Sequence, residues 1–141
     1  MIQDLGSHCY RNEYHPVPPK ANDYILFFRD RKVLVKVMGD TFSFPDFQYT
    51  GEYYPRIYTS YTYLFSIDQR NYYLIREESL DALPGYTMED IIIFRNLGPQ
   101  VNGFALITGY QLYNWYETRK FCGKCGHPLV PDTRERMMYC P

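Results

Sequence analysis

The last 21 residues, Phe121 to Pro141 (FCGKCGHPLVPDTRERMMYCP), constrain this chain more than any other stretch. They hold three of its four cysteines. Cys122 and Cys125 form a C-x-x-C pair closed by Gly126, and Cys140 follows after fourteen intervening residues. Two thiolates on such a turn can share one tetrahedral ion. The turn's N–H groups then point at the first sulfur and stabilise its charge. Gly126 can take the positive φ the turn needs, and Lys124 places a cation beside a negative site. A complete zinc ribbon reads C-x2-C, a hairpin of roughly 15–20 residues, then C-x2-C. Here the first knuckle is whole and the spacer is about one residue short of that range. Of the second knuckle only Cys140 and Pro141 are present. The reading is therefore a truncated ribbon in which Cys122, Cys125 and Cys140 bind a structural zinc. Its expected fourth ligand lies just past Pro141, with water, His127, the terminal carboxylate, Cys9 or a neighbouring chain as substitutes.

Three other readings of these cysteines are weaker. A thioredoxin-like redox pair belongs to a βαβ pattern, whereas a helical pattern precedes Cys122 and Pro128 follows Cys125. Structural disulfides suit secreted chains, and the opening residues Met1 to Leu5 have neither a basic nor an apolar signal segment. Free thiols would leave the spacing unexplained. From His127 to Tyr139 the residues suit a short hairpin: turn formers Pro128, Pro131 and Asp132, then Arg134, Arg136 and Met137 to Tyr139. So short a segment cannot bury a useful core, and a metal would replace one. Cys9, His8 and His15 lie in a proline-bearing arm without ligand spacing.

The remaining residues suffice for one ordinary domain. The chain has 141 residues, 45% of them apolar, so a packed core is feasible. The net charge of −1 gives no general case for nucleic acid or an acidic membrane surface. No apolar run approaches the ~20 residues that span a bilayer. A cytoplasmic protein is the expectation. The 16 tyrosines suit half-buried strand faces, where a ring packs and a hydroxyl stays wet. Stacking on bases is the lesser alternative.

Asp23 to Asp30 predicts a strand, a turn near Arg31 follows, and Lys32 to Met38 alternates as a second strand. After Gly39-Asp40, Thr41 to Phe47 resumes the alternation with Phe42 and Phe44 on one face, and Pro45 marks an edge or end. Gln48 to Arg56 is turn-rich. Tyr61 to Asp68 and Tyr72 to Glu77 predict a second hairpin around Gln69-Arg70-Asn71. Thr87 with Glu89 and Asp90 reads as a helix start, although Ile91 to Ile93 also suit a buried strand. Val101 to Lys120 predicts a long amphipathic helix, with Asn102 as a cap and Arg119-Lys120 in its last turn. Its stripe is Val101, Phe104, Ala105, Thr108, Leu112, Trp115 and Tyr116. Gly103 and Gly109 weaken it, at about 1 kcal/mol each relative to alanine. The predicted fold class is α+β: a small, mostly antiparallel sheet with a long helix, followed by a partial zinc ribbon. The sequence has no phosphate-binding glycine loop, no nucleophile triad and no cluster of acidic residues on one helix face.

From Phe94 to Pro141 the chain resembles the NADH pyrophosphatases of the Nudix hydrolase superfamily. Leu112, Trp115, Phe121, Cys122, Cys125, Gly126, Cys140 and Pro141 fill that family's order of aromatic helix end, F-C-x-x-C-G knuckle, hairpin and second knuckle. The resemblance covers about a third of the chain. It implies a degenerate Nudix-like lobe over residues 1–100, a connecting helix over 101–120 and a truncated ribbon over 121–141. It also implies a homodimer. In that family a following domain carries the box G-x5-E-x7-R-E-U-x-E-E-x-G-U, where U is aliphatic. The box holds Mg²⁺ or Mn²⁺ and cleaves NAD(H) to AMP and nicotinamide mononucleotide. Nothing in these 141 residues matches the box. The implied role is a non-catalytic portion of such an enzyme, with no catalytic residue of its own. The alternative is a free-standing zinc-ribbon module that binds protein or nucleic acid, although the near-neutral charge does not favour nucleic acid. Sequence downstream of codon 141 discriminates between the two.

Overall fold

Residues 10–11, 17–118, 130–131 and 138–139 are described by the structure, a computed structural model. The strands in chain order are β1 (Tyr10–Arg11), β2 (Tyr24–Leu26), β3 (Phe28–Arg29), β4 (Lys32–Met38) and β5 (Thr41–Ser43). A short helix α1 (Phe47–Gly51) and a 3-10 turn (Pro55–Tyr58) lead to β6 (Thr62–Ile67) and β7 (Arg70–Leu74). A second 3-10 turn (Glu78–Ala82), β8 (Thr87–Asp90) and a third 3-10 turn (Ile91–Arg95) precede the long helix α2 (Gln100–Thr118). The pair β9 (Val130–Pro131) and β10 (Met138–Tyr139) comes last. This is the expected mixture of small, mostly antiparallel sheets and one long helix. No described helix is long and apolar enough to cross a membrane.

One sheet has the order β1-β6-β7-β2. Its β2–β7 contact is parallel, the exception among the described strand-to-strand ladders, with Ile25 opposite Tyr73. The second sheet runs β3-β4-β5, and β8 also pairs with β4. The predicted strand over 23–30 thus divides at Phe27. Its first half joins one sheet and its second half the other. Phe27 carbonyl oxygen accepts from Leu34 N at 3.0 Å, which stitches the division to β4. Successive side chains still alternate: Ile25 and Phe27 enter one core, Leu26 and Phe28 the other.

The second predicted hairpin is present, but it turns earlier than expected. Asp68 and Gln69 have φ of 52° and 68°, the two-residue geometry that matches strand twist. Arg70 and Asn71, expected in the turn, are already in β7. A further expectation is overturned. Thr87 to Asp90 is strand rather than helix, because β4 offers an unpaired edge and Lys32↔Asp90 to Val35↔Thr87 fill it. The cap is Asp90, whose carboxylate accepts from Ile92 N at 3.0 Å at the head of the third 3-10 turn. The turn-rich stretch also contains α1, capped by Asp46, which accepts from Tyr49 N at 2.8 Å.

Two cores lie on the two sides of the strands. Leu26, Phe28, Val33, Val35, Leu64, Phe65, Tyr72 and Leu74 pack against α2 through Phe104, Ala105, Leu106 and Tyr116. Ile25, Phe27, Leu34, Tyr63, Tyr73 and Ile75 pack under the short helices through Phe47, Ile57, Leu80 and Leu83. Full burial of such side chains contributes roughly 1.5–3 kcal/mol each. The α2 stripe is partly as read. Phe104, Ala105 and Tyr116 are buried; Val101, Thr108, Leu112 and Trp115 are half-buried. Gly103, Leu106 and Gly109 are buried too, outside the predicted stripe. Gly109 marks the closest approach: a Cβ there would sit 2.3 Å from Leu26 Cδ1. Asn102 does not cap the helix. It lies in the first turn, and its Nδ2 donates to Phe42 O at 2.7 Å, tying α2 to the β5 segment. Arg119 and Lys120 lie outside the described residues.

Candidate functional site

Cys122, Cys125 and Cys140, the zinc ligands expected from sequence, lie outside the described residues, as do Cys9, His8, His15 and His127. The elements that flank them are described. β9 and β10 pair antiparallel, Tyr139 opposite Val130 and Met138 opposite Pro131. The stretch between Cys125 and Cys140 therefore contains the expected hairpin, and Cys140 is the residue that follows β10. On the other side, the last turn of α2 leads towards Cys122. Thr118 Oγ1 donates to Asn114 O at 3.0 Å and Trp115 O at 3.1 Å, closing the backbone of that turn. Trp115 and Tyr116 meet edge to face at 4.9 Å. Arg76, just beyond β7, lies over the Tyr116 ring at 5.7 Å and 3.9 Å from Glu117. The helix end is thus held to the strands by a cation, a ring and a carboxylate. Among the described residues no group of three or more His, Cys, Asp or Glu could hold a metal ion.

A second feature lies away from the cysteines, beside the 3-10 turn Pro55–Tyr58. Two small clefts adjoin there, one of about 210 Å³ lined by Tyr53, Tyr54, Pro55, Arg56 and Glu77. The other, of about 150 Å³, is lined by Arg56, Ile57, Ser60, Ile75, Arg76 and Glu77. Arg56 and Glu77 border both. Tyr54 is fixed in place because its hydroxyl donates to Ser79 O at 2.7 Å. Ser79 Oγ in turn donates to Glu77 Oε1 at 2.9 Å, which orients that carboxylate. The sequence reading passed over these residues. Their signal is slight, a proline-started turn (Tyr54-Pro55-Arg56) after three tyrosines, and β7 carries the rest from a distance in sequence.

Burial shapes the titration of the core. Tyr72 and Tyr73 are held well above the ordinary tyrosine value, in both cases first by desolvation. For Tyr73 the nearby Asp23 charge adds to it. Neither ring is a proton donor or acceptor near neutral pH. Tyr73 is structural: its hydroxyl donates to Val17 O at 2.6 Å, and the rings of Phe47, Tyr61 and Tyr63 meet it edge on.

No family model matches the chain. Curated relatives match it in part. Over 32 residues it is 50% identical to an NAD-capped RNA hydrolase, NudC, of Citrobacter koseri, a match that covers 23% of this chain and 12% of the relative. Over 74 residues it is 30% identical to the NudC of Pseudomonas fluorescens, covering 52% of this chain and 27% of that protein. NudC of Salmonella newport matches at 50% over 32 residues, again 23% of this chain and 12% of the relative. The matched part spans little more than a quarter of these relatives at most. The similarity to Nudix hydrolases that act on NAD-type groups is therefore short and partial.

Proposed function

We propose that this chain supplies the amino-terminal lobe and zinc-ribbon segment of a Nudix hydrolase that acts on NAD-type dinucleotides, releasing AMP and nicotinamide mononucleotide. The observation that carries the reading is the 50% identity over 32 residues to NAD-capped RNA hydrolases. Support comes from the order of elements: a long helix, a C-x-x-C pair, a hairpin, a further cysteine. In this reading residues 1–100 are the lobe, 101–120 the connecting helix and 121–141 the ribbon. Cys122, Cys125 and Cys140 hold zinc. Three thiolate donors with a two-stranded spacer suit that ion, which when bound would cross-link a segment too short for a core of its own. The lobe positions its partner domain and pairs in a homodimer. Hydrolysis, with Mg²⁺ or Mn²⁺, belongs to a Nudix box that is not among these 141 residues.

The test has two parts. Incubated with NADH and Mg²⁺ or Mn²⁺, the purified chain should release no AMP above background, whereas the same lobe joined to a Nudix domain should. Zinc bound by the chain, measured by elemental analysis, should fall in Cys122→Ser and Cys125→Ser. Turnover by the 141-residue chain that survives repurification would sink the assignment of roles. Zinc content indifferent to both substitutions would sink the ribbon.

A further inference from the structure

We infer that the paired clefts at Arg56 bind a free α-amino acid with an aromatic side chain, held in its zwitterionic form. The inference does not rest on the proposed reading. Two opposite charges, Arg56 and Glu77, border both clefts, yet they form no ion pair with each other. The Arg56 guanidinium is exposed and makes no hydrogen bond or ion pair among the described residues. Glu77 is half-buried, and Ser79 Oγ fixes its carboxylate by donating to Oε1 at 2.9 Å. Arg76, the other cation of the smaller cleft, is engaged, donating to Thr62 Oγ1 at 3.0 Å and lying over Tyr116. Clefts that keep a guanidinium and a carboxylate apart match a molecule that carries both charges in reverse. Its carboxylate meets the Arg56 fork and its ammonium meets Glu77. Ser60 lines the smaller cleft with Arg56 and adds a hydroxyl donor for the carboxylate end. The larger cleft supplies rings for the side chain, with Tyr53, Tyr54 and Pro55 in its wall. Tyr54 is held by its bond to Ser79 O, and Tyr53, 50% exposed, is steadied by the Tyr49 ring at 5.4 Å. Such fixed rings take a further ring edge to face or offset. Ser79 thus sets both the aromatic wall and the anionic corner.

Ligands of one sign fit less well. A phosphate or a nucleotide satisfies Arg56 but meets the Glu77 carboxylate with like charge. A simple amine satisfies Glu77 and meets the Arg56 guanidinium with like charge. An internal peptide segment has a neutral backbone and would cover both side chains without a charged partner, which is costly. Size points the same way. The clefts, about 210 and 150 Å³, each fall below the roughly 300 Å³ at which drug-sized pockets begin. An amino acid, with its charged head at the junction and its ring in the larger cleft, is of that smaller class.

Isothermal calorimetry with the full chain and L-phenylalanine tests the proposal. L-phenylalanine should bind. Its N-acetyl and amide derivatives, each lacking one of the two charges, should bind about tenfold more weakly or worse. Arg56→Gln should bind L-phenylalanine about tenfold more weakly and no longer discriminate against the amide. Glu77→Gln retains an acceptor for Ser79 Oγ and should no longer discriminate against the N-acetyl form. Such exchanged preferences report charge matching, which a loss of fold would not produce. Tyr53→Ala should reduce the preference for L-phenylalanine over L-alanine by about threefold or more. The proposal is overturned if L-phenylalanine does not bind, or if either derivative binds the parent chain equally well. It is also overturned if Arg56→Gln and Glu77→Gln discriminate as the parent does, or if AMP binds the clefts more tightly than L-phenylalanine.

Discussion

The two sides of the strands are covered in different ways. One side carries α2, a single element of 19 residues laid against Leu26, Phe28 and Leu74. The other carries α1 and two 3-10 turns of five, four and five residues. Helices that short do not stand alone in water. They are fastened by tyrosine hydroxyls that reach backbone carbonyls. Tyr49 donates to Pro84 O and Tyr54 to Ser79 O, both at 2.7 Å, and Tyr58 to Phe47 O at 3.1 Å. The lesson concerns composition. Tyrosine density serves here as a substitute for helical length: each ring packs into or over the core, and each hydroxyl pins a short element that packing alone would not order.

If close packing holds the α2 side, the strongest blow to it is one extra methyl group. Gly109→Ala places a Cβ 2.3 Å from Leu26 Cδ1 and 3.6 Å from Phe28 Cζ. Leu26 is fully buried and has nowhere to go. Overpacking costs roughly 1–3 kcal/mol, against a gain of about 1 kcal/mol for replacing an interior helical glycine. The net expectation is a loss of about 1–2 kcal/mol, read as a lower midpoint in urea. A stabilised variant would mean that α2 sits loosely on the strands and that the contrast between the two sides is false.

That glycine also shows what the sequence can and cannot say. Gly109 read as a flaw in the helix because propensity is a local quantity. Its use, a close approach to Leu26 on β2, depends on a residue more than eighty positions away. The helix itself was legible, since its apolar positions recur over five turns of local pattern. Lys32 to Met38 was legible for the same reason. Thr87 to Asp90 was not, because a four-residue strand of half-exposed side chains has no period to read and exists to fill the edge of β4. The division at Phe27 left no trace either, because both halves continue the same alternation. Of the candidate sites, the cysteine spacing was plain in sequence. The Arg56 clefts were not, because Arg56 and Glu77 meet only when β7 returns beside the 3-10 turn.

A second experiment compares the two sides by titration. Tyr72 faces the α2 core and Tyr73 the other. Burial holds both hydroxyls well above the ordinary value of 10. An unfolded tyrosine ionises near that value while the folded rings stay neutral. Their contribution is fully present below pH 10 and is lost as pH rises from there towards the folded values. Each ring can remove up to about 1.4 kcal/mol per pH unit in that window. Urea melts should be level up to pH 10 and fall beyond it. Tyr72→Phe and Tyr73→Phe should each flatten part of the fall. Tyr73→Phe alone should also lower stability near neutrality, by about 1 kcal/mol for the lost bond to Val17. Stability that stays level well above pH 10 would mean that both hydroxyls reach solvent in the folded state.

The smallest expected effect discriminates best. Gly51, the last residue of α1, is also crowded: a Cβ there would sit 2.6 Å from Tyr58 Cε2. By distance alone, Gly51→Ala resembles Gly109→Ala. The neighbours differ, since the Tyr58 ring is 40% exposed and can swing into solvent. The swing gives up its hydrogen bond to Phe47 O, worth roughly 0.5–1.5 kcal/mol. Replacing a helical glycine returns roughly 0.5–1 kcal/mol. The two nearly cancel, so Gly51→Ala should lie within about 0.5 kcal/mol of the parent. In the background Tyr58→Ala the clash is gone and the same substitution should stabilise. Equal losses for Gly51→Ala and Gly109→Ala would put Tyr58 in as rigid a setting as Leu26. The short-helix side would then be close-packed like the other, and its tyrosine hydroxyls would be incidental to how it is held.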